Sequence, residues 1–422
     1  MMPPRRPRAG AVFFTVCGIA LLWQACGGGG GGGGGTSPNA QGTGTPRPPV
    51  TQPGARGTAT PTFGSSRTPG PDMMIVQSGE SIVDAAKSVH DGGIVVVAPG
   101  TYAAVVLNPG DLQGSVTLFA DITGEFTDSA PAAVVIAAKS TDEAALEAFS
   151  QSGLFIDGFT LRGGTDAGFL CGDCSGITIQ DCTISGGHGD AVRLERSDDV
   201  LVFNNLLTGN KGAGVAALGT VSLQVINNTI YNNAADGLLL SLDENDRAST
   251  SAFLRNNIFN KNKPTGIVVD TGPPSSLDGF DANFNLNTDG YSGTDRGTDD
   301  VNADPLFIFP SGGDFHLASG SRAISTGTDA IDGDLVDSLG QLSTQTDATL
   351  DTPPLDLGYH YSAPIPTPTK IPKPTRTGTP RPTATRTGGT VGATPTPPRP
   401  TNTPVGTPTK TTRPTRTPNG RT

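Results

Sequence analysis

The side chains best suited to acid–base chemistry gather in one stretch of the 422-residue chain: His188, Asp190, Arg193, Lys211 and Asp236. His188 and Lys211 are 23 residues apart, and Asp190 and Asp236 are 46 apart. In a chain that repeats every 23 residues, each pair would share one turn position in neighbouring or next-nearest coils. A base such as Lys, Arg or His can remove the proton beside a carboxylate, while an Arg or a cation such as Ca²⁺ neutralises that carboxylate. Arg193 follows Asp190 on the same strand and points outward if Val192 and Leu194 point inward. The weak candidates for catalysis are therefore His188, Lys211 and Arg193, with Asp190 and Asp236 as ligand-binding carboxylates. The competing reading is that the surface turns of any acidic repeat protein carry Asp, Lys and Asn for solubility. No motif fixes these positions as catalytic.

Cys171-Gly172-Asp173-Cys174, followed by Cys182 and His188, could supply three thiolates and an imidazole to a tetrahedral zinc. Cys171 falls in the same column as Leu194 and Leu240, however, so it reads as a small core residue and no metal is assigned. A Cys171–Cys174 or Cys174–Cys182 disulfide, or buried thiols, are the other readings. The acidic stretches Asp295–Asp304 and Asp329–Asp337 could hold Ca²⁺ through several oxygens, although neither has a spaced loop signature.

What must position these residues is an internal repeat. Ile156, Ile179, Val202 and Val225 step by 23 residues and Leu254 follows after 29. Leu161, Ile184, Leu207, Ile230 and Phe259 keep the same steps, as do Phe169, Val192, Val215, Leu238 and Ile267. The six extra residues fall in a polar stretch, 241–250, which reads as a loop. Alternation such as Ile177-Thr178-Ile179 predicts short strands with one face inward, and three of them fit one repeat. Coils would then stack with strands about 4.8 Å apart. Asn205, Asn228 and Asn257 become a turn ladder in which each amide bonds to its copies above and below. Gly or Ala at 168, 191, 214, 237 and 266 predicts a tight bend into the next strand. Ser78–Val89 carries Ile82, Ala85, Ala86 and Val89 at helical spacing and predicts a helix covering the first coil.

The ends differ from the middle. A basic start and the apolar run to Trp23 have the layout of a secretory signal peptide. Residues 27–71, with nine glycines in a row from Gly27, cannot bury a core and read as a linker. Residues 363–422 are a basic Pro/Thr-rich arm that favours extended, solvated backbone. All 39 acidic residues lie from Asp72 to Tyr361 with only twelve of the 28 basic ones, so that segment carries a net charge near −27. Such a field repels nucleic acid and unassisted anionic glycans and attracts cations.

These motifs carry a resemblance. Val96-Val97-Ala98-Pro99-Gly100-Thr101-Tyr102 is similar to the opening of many pectin-lyase-like right-handed parallel β-helices. Asp304-Pro305-Leu306-Phe307, Asp314-Phe315-His316-Leu317, Ser321-Arg322-Ala323-Ile324 and Asp356-Leu357-Gly358-Tyr359-His360-Tyr361 resemble the C-terminal region of bacterial surface β-helix proteins. Ala25-Cys26-Gly27 resembles a bacterial lipoprotein cleavage site, which implies lipidation of Cys26; an uncleaved signal anchor is the alternative. The superfamily includes lyases and polygalacturonases, but Gly187-His188-Gly189 here precedes Asn287-Thr288-Asp289, the reverse of the polygalacturonase order, so the former reads as a turn.

The expected organisation is a signal peptide (1–26), a linker (27–71), an all-β single-stranded parallel β-helix with an N-terminal helical cap (72–362) and a disordered basic tail (363–422). The expected protein is exported, held at the membrane by a lipid, monomeric, and a binder of polysaccharide or envelope glycan rather than nucleic acid. A polysaccharide lyase acting on uronates, with Ca²⁺ as its cofactor, and an adhesin or spacer are the alternatives.

Overall fold

The computed structural model describes residues 72–243, 249, 251–270 and 279–362. The expectations for the leader, Cys26, the linker and the basic tail lie outside the described residues.

Period-two alternation drives the middle of the chain into short strands, because one set of side chains then shares a face that water leaves. In one coil, Leu154–Asp157, Thr160–Arg162 and Ala167–Gly172 pass through three sheets in turn, and Ser175–Gln180 opens the next coil beside Leu154–Asp157. We call these sheets A, B and C; among the described residues they hold nine, eight and eight strands. The result is a right-handed parallel β-helix. Ile156, Ile179, Val202, Val225 and Leu254 are register partners in sheet A. Leu161 to Phe259 form the matching ladder in sheet B, and Phe169 to Ile267 the one in sheet C. All of them are buried in one continuous core. The coil also extends beyond the legible columns, since Leu118 pairs with Ile156 and Ile136 with Leu161 at irregular spacings.

The Gly/Ala column has a different cause from the bend the sequence predicts. Gly168 and Ala191 lie inside sheet C strands. A Cβ on Gly168 would stand 2.2 Å from Ile184 Cγ2, one on Gly214 2.3 Å from Ile230 Cγ2, and one on Gly237 2.7 Å from the Phe259 ring. The column is small because sheet B side chains press against it.

Asparagine ladders satisfy the turns. The Nδ2 of Asn205 donates to Asn228 Oδ1 and that of Asn228 to Asn257 Oδ1, each at 3.0 Å, and Asn285 extends the series. Asn210, Asn233 and Asn262 build a second ladder at the turn between sheets B and C. Each ladder ends on an aspartate, which accepts without having to donate: Asp300 takes the Asn285 N–H at 2.7 Å and Asp289 the Asn262 N–H at 2.8 Å. The Asn287-Thr288-Asp289 segment is thereby a structural terminus. Asp300 also accepts from Tyr291 Oη at 2.6 Å, so this member of the acidic stretch serves the turn.

At the N-terminal end, helix α1 (Ile82–Ser88) is capped by Ser81 and buries Ile82, Ala85 and Ala86. The C-terminal segment, by contrast, runs along the flank of the coil. Thr328 bonds both ways to the Asn256 side chain, the Asp356 carbonyl accepts from Asn227, and His360 bonds both ways to Asn204. These three asparagines have φ between 49° and 58°, a left-handed conformation that Asn tolerates well. Each doublet thus divides its labour: the first Asn faces the C-terminal segment and the second feeds the inner ladder. Helix α2 (Gly333–Leu339) adds Leu335 and Leu339 to an apolar layer over Leu201, Phe203 and Ile226. Among the described residues no helix is long and apolar enough to cross a membrane.

Candidate functional site

Outward-facing positions of sheet C form a column in which Glu147, Leu170, Arg193, Ala216, Leu239 and Val268 are successive register partners. Arg193 lies within the strand Asp190–Glu195, three residues after Asp190. Its Nε donates to Glu195 Oε1 at 2.7 Å and its Nη1 to Asp190 Oδ2 at 3.3 Å, while about a third of the side chain stays exposed. Asp190 Oδ1 accepts the Ala213 N–H of the next coil at 2.7 Å, which anchors the carboxylate. Arg196 continues the network: Nε and Nη2 reach the two oxygens of Asp173 at 2.9 and 3.0 Å, and Nη1 lies 3.9 Å from Glu195. Asp190, Arg193, Glu195, Arg196 and Asp173 form one chain of alternating charge.

The electrostatics follow from this packing. Burial raises the Asp190 carboxyl above its ordinary value, against the lowering pull of the Ala213 N–H and Arg193. Burial would lower Arg193, but Glu195 and Asp190 outweigh it and hold the guanidinium charged. Burial also raises Glu147, whose Oε1 accepts the Ala144 N–H at 3.0 Å.

The five candidate residues divide. His188 and Lys211 do occupy equivalent turn positions, with their backbone N–H groups bonding to Gly164 and Gly187 one coil back, and both are exposed. Asp190 and Arg193 meet directly. Asp236 instead accepts the Thr265 N–H at 3.1 Å and its carboxyl is raised by burial, so it repeats the anchoring half of the Asp190 role without an arginine. Sequence inspection missed Glu195, Arg196 and Asp173, although the 23-residue step from Asp173 to Arg196 was available as a signal.

Of the four residues considered for zinc, only Cys171 and Cys174 have side chains shown in contact, and the four occupy different places around the coil. Cys171 lies within a sheet C strand, Cys174 at the turn from C to A, Cys182 at the turn from A to B, and His188 at the turn from B to C. All three cysteines are free and buried.

A second titratable group lies outside sheet A. Gln180 Nε2 donates to Asp157 Oδ2 at 3.1 Å and to Asp181 Oδ2 at 3.2 Å, bringing two carboxyls together. Burial holds Asp157 well above the carboxylate range, with the Asp181 charge adding to it, and pushes Asp181 to about 6. A raised carboxyl contributes fully to stability below its unfolded value, about 3.9, and loses that contribution as pH climbs through the folded value. Asp157→Asn, which does not titrate, is therefore expected to melt near the wild-type temperature at pH 3.5 and progressively above it towards pH 7.5, as read by thermal unfolding across that range.

A family model described as a right handed beta helix region matches residues 150–293. No curated protein matches the sequence. Among solved structures, a pectate lyase is 11% identical with a TM-score of 0.37, covering 64% of this chain and 94% of that one. The A-module of an Azotobacter vinelandii mannuronan C-5 epimerase is 16% identical with a TM-score of 0.35, covering 50% and 64%. An alginate lyase from Paenibacillus sp. is 13% identical with a TM-score of 0.32, covering 54% and 99%. These likenesses are distant and concern the course of the backbone. Coordinates and family model agree that the middle of this chain is a right-handed parallel β-helix.

Proposed function

We propose that this chain is an exported β-helix, tethered to the cell envelope through Cys26, that binds carbohydrate along the outer face of sheet C without turning it over. The observation that carries this reading is the Arg193 fork. A half-buried guanidinium held by Asp190 and Glu195 is a pre-ordered set of donors beside acceptors, and both are needed to engage vicinal hydroxyls. Leu239 and Val268, farther along the same column and partly exposed, offer apolar contact to the C–H faces of sugar rings. With coils about 4.8 Å apart, Leu239 stands two coils from Arg193 and Val268 one coil farther, a spread that an extended oligosaccharide can span. The acidic field of the folded segment favours a neutral polymer over a uronate.

The pairing of Arg193 also favours binding over chemistry, because its charge is already balanced and Asp190 is committed to a backbone N–H. One feature supports the lyase alternative: His188 and Lys211 stand exposed on adjacent coils beside this fork. Retention of the full chain on a panel of immobilised neutral and uronate polysaccharides, with and without Ca²⁺, separates the readings. Neutral-glycan retention lost by at least about tenfold in Arg193→Ala, equivalent to about 1.4 kcal/mol, is expected, with no unsaturated uronide absorbance. Unsaturated products that vanish in a His188→Ala/Lys211→Ala double variant would establish the lyase instead.

A further inference from the structure

The C-terminal segment is held on the coil by a buried histidine whose surroundings are acceptors. The His360 side chain has no exposure; its Nδ1 lies 2.9 Å from the Gly358 carbonyl and its Nε2 2.7 Å from Asp351 Oδ2. A carbonyl only accepts, and so does an ionised carboxylate, so both contacts are hydrogen bonds only when both ring nitrogens carry protons. Beside an ionised Asp351, a neutral ring leaves one of them as two facing lone pairs. Asp351 is fixed in turn, accepting the Asp356 N–H at 2.9 Å and the Thr352 N–H at 2.8 Å. The His360 backbone closes the join, its N–H donating to Asn204 Oδ1 at 2.7 Å and its carbonyl accepting from Asn204 Nδ2 at 3.0 Å.

The groups around this ring and the adjoining Tyr359 are nearly all acids. Asp351 and Asp356 come from the C-terminal segment itself, Asp181 from the turn after sheet A and Asp157 from the coil before it. The phenols of Tyr359 and Tyr361 and the thiol of Cys182 complete the set.

We propose that residues 302–362 form a proton-held clasp: the buried His360–Asp351 pair keeps Gly358–Tyr361 on the Asn204 turn, and loss of protons from the surrounding carboxyls lets the segment lift off the outside of sheet A, uncovering Leu201, Phe203 and Ile226. The neighbouring acids act in the same direction. Burial raises Asp157 and Asp356, and it pushes Asp181 to about 6 even though His360 pulls it down. The clasped state therefore binds protons more tightly than the open one. Its stability is complete below the ordinary carboxylate value, near 3.9, and declines as pH rises through about 6. The segment meets the coil through the side chains of Asn204, Asn227 and Asn256, a backbone bond from the Gly358 N–H to the Asn256 carbonyl at 2.7 Å and apolar contacts, while the coil keeps its own backbone ladder, so the segment can open as a unit.

Hydrogen exchange on the full chain, corrected for intrinsic rates, tests this at pH 5 and pH 8. Protection of the Tyr359 and His360 amides, which donate to Thr229 Oγ1 and Asn204 Oδ1, is expected to fall by about tenfold or more, while sheet C amides such as Val192 and Val215 hold constant. His360→Gln is expected to lower the clasp's protection at pH 5 towards the wild-type level at pH 8. Equal protection of the clasp at both pH values in the wild type would overturn the proposal, as would a fall shared equally by sheet C. The wild-type profile decides the matter even if the variant fails to fold.

Discussion

Asn228→Ala is expected to lower the free energy of unfolding by about 3 kcal/mol, with a corresponding drop in the urea midpoint. The Asn228 Nδ2 donates to the Val202 carbonyl at 2.8 Å and to the Ile226 carbonyl and Asn257 Oδ1, both at 3.0 Å. Its Oδ1 accepts from the Asn205 backbone N–H at 2.8 Å and from Asn205 Nδ2 at 3.0 Å. The whole group is buried, so alanine removes several bonds and strands the Asn205 N–H where water cannot reach it. Net bonds of about 1 kcal/mol each and an orphaned donor costing about 1–3 kcal/mol set the magnitude. Asn228→Asp is expected to be no milder, because it keeps the acceptor and loses the donors, so an oxygen then faces Asn257 Oδ1. Aspartate suits this position only at the end of a ladder, where Asp289 and Asp300 stand.

Gly214→Ala should cost about 2 kcal/mol, within the range for overpacking a filled core, and Ile230→Leu in the same chain should recover part of it. The new methyl would lie 2.3 Å from Ile230 Cγ2 and 2.6 Å from the Gly237 carbonyl. The chain already contains the compensated pair: one coil earlier Ala191 takes the glycine position and Leu207 the isoleucine position. Leucine branches one carbon farther out and leaves room beside its Cβ. Thermal unfolding of the two single variants and the double completes a cycle whose coupling term should favour the Ala–Leu combination. A double variant no more stable than the sum of its parts would show that the Gly237 carbonyl, not Ile230, sets the limit.

The coil was legible because each 23-residue step preserves both strand parity and turn chemistry, so Ile156 to Val225 and Asn205 to Asn257 show as columns. It became illegible where loops break the step. Leu118 and Ile136 belong to the same ladders as Ile156 and Leu161, yet a hydrogen-bonded loop around Asp121 shifts their spacing. The flank-wise course of the C-terminal segment was hidden for another reason: it depends on Asn204–His360 contacts between residues 156 apart, which no local period encodes. At the candidate site, parity placed Arg193 outward beside Asp190. It could not show that Asp190 is committed to Ala213 or that Glu195 takes the other side of the guanidinium, because both depend on side-chain rotamers.

Hydroxyl-radical footprinting of the full chain, with and without the neutral polysaccharide that retains it best, tests the proposed binding face most directly. Leu239 and Val268 on the outer column of sheet C should lose reactivity on binding, whereas the exposed Ile308 and Phe309 of the C-terminal segment should keep theirs. Protection of Ile308 and Phe309 with Leu239 and Val268 unchanged would contradict the assignment of carbohydrate to sheet C.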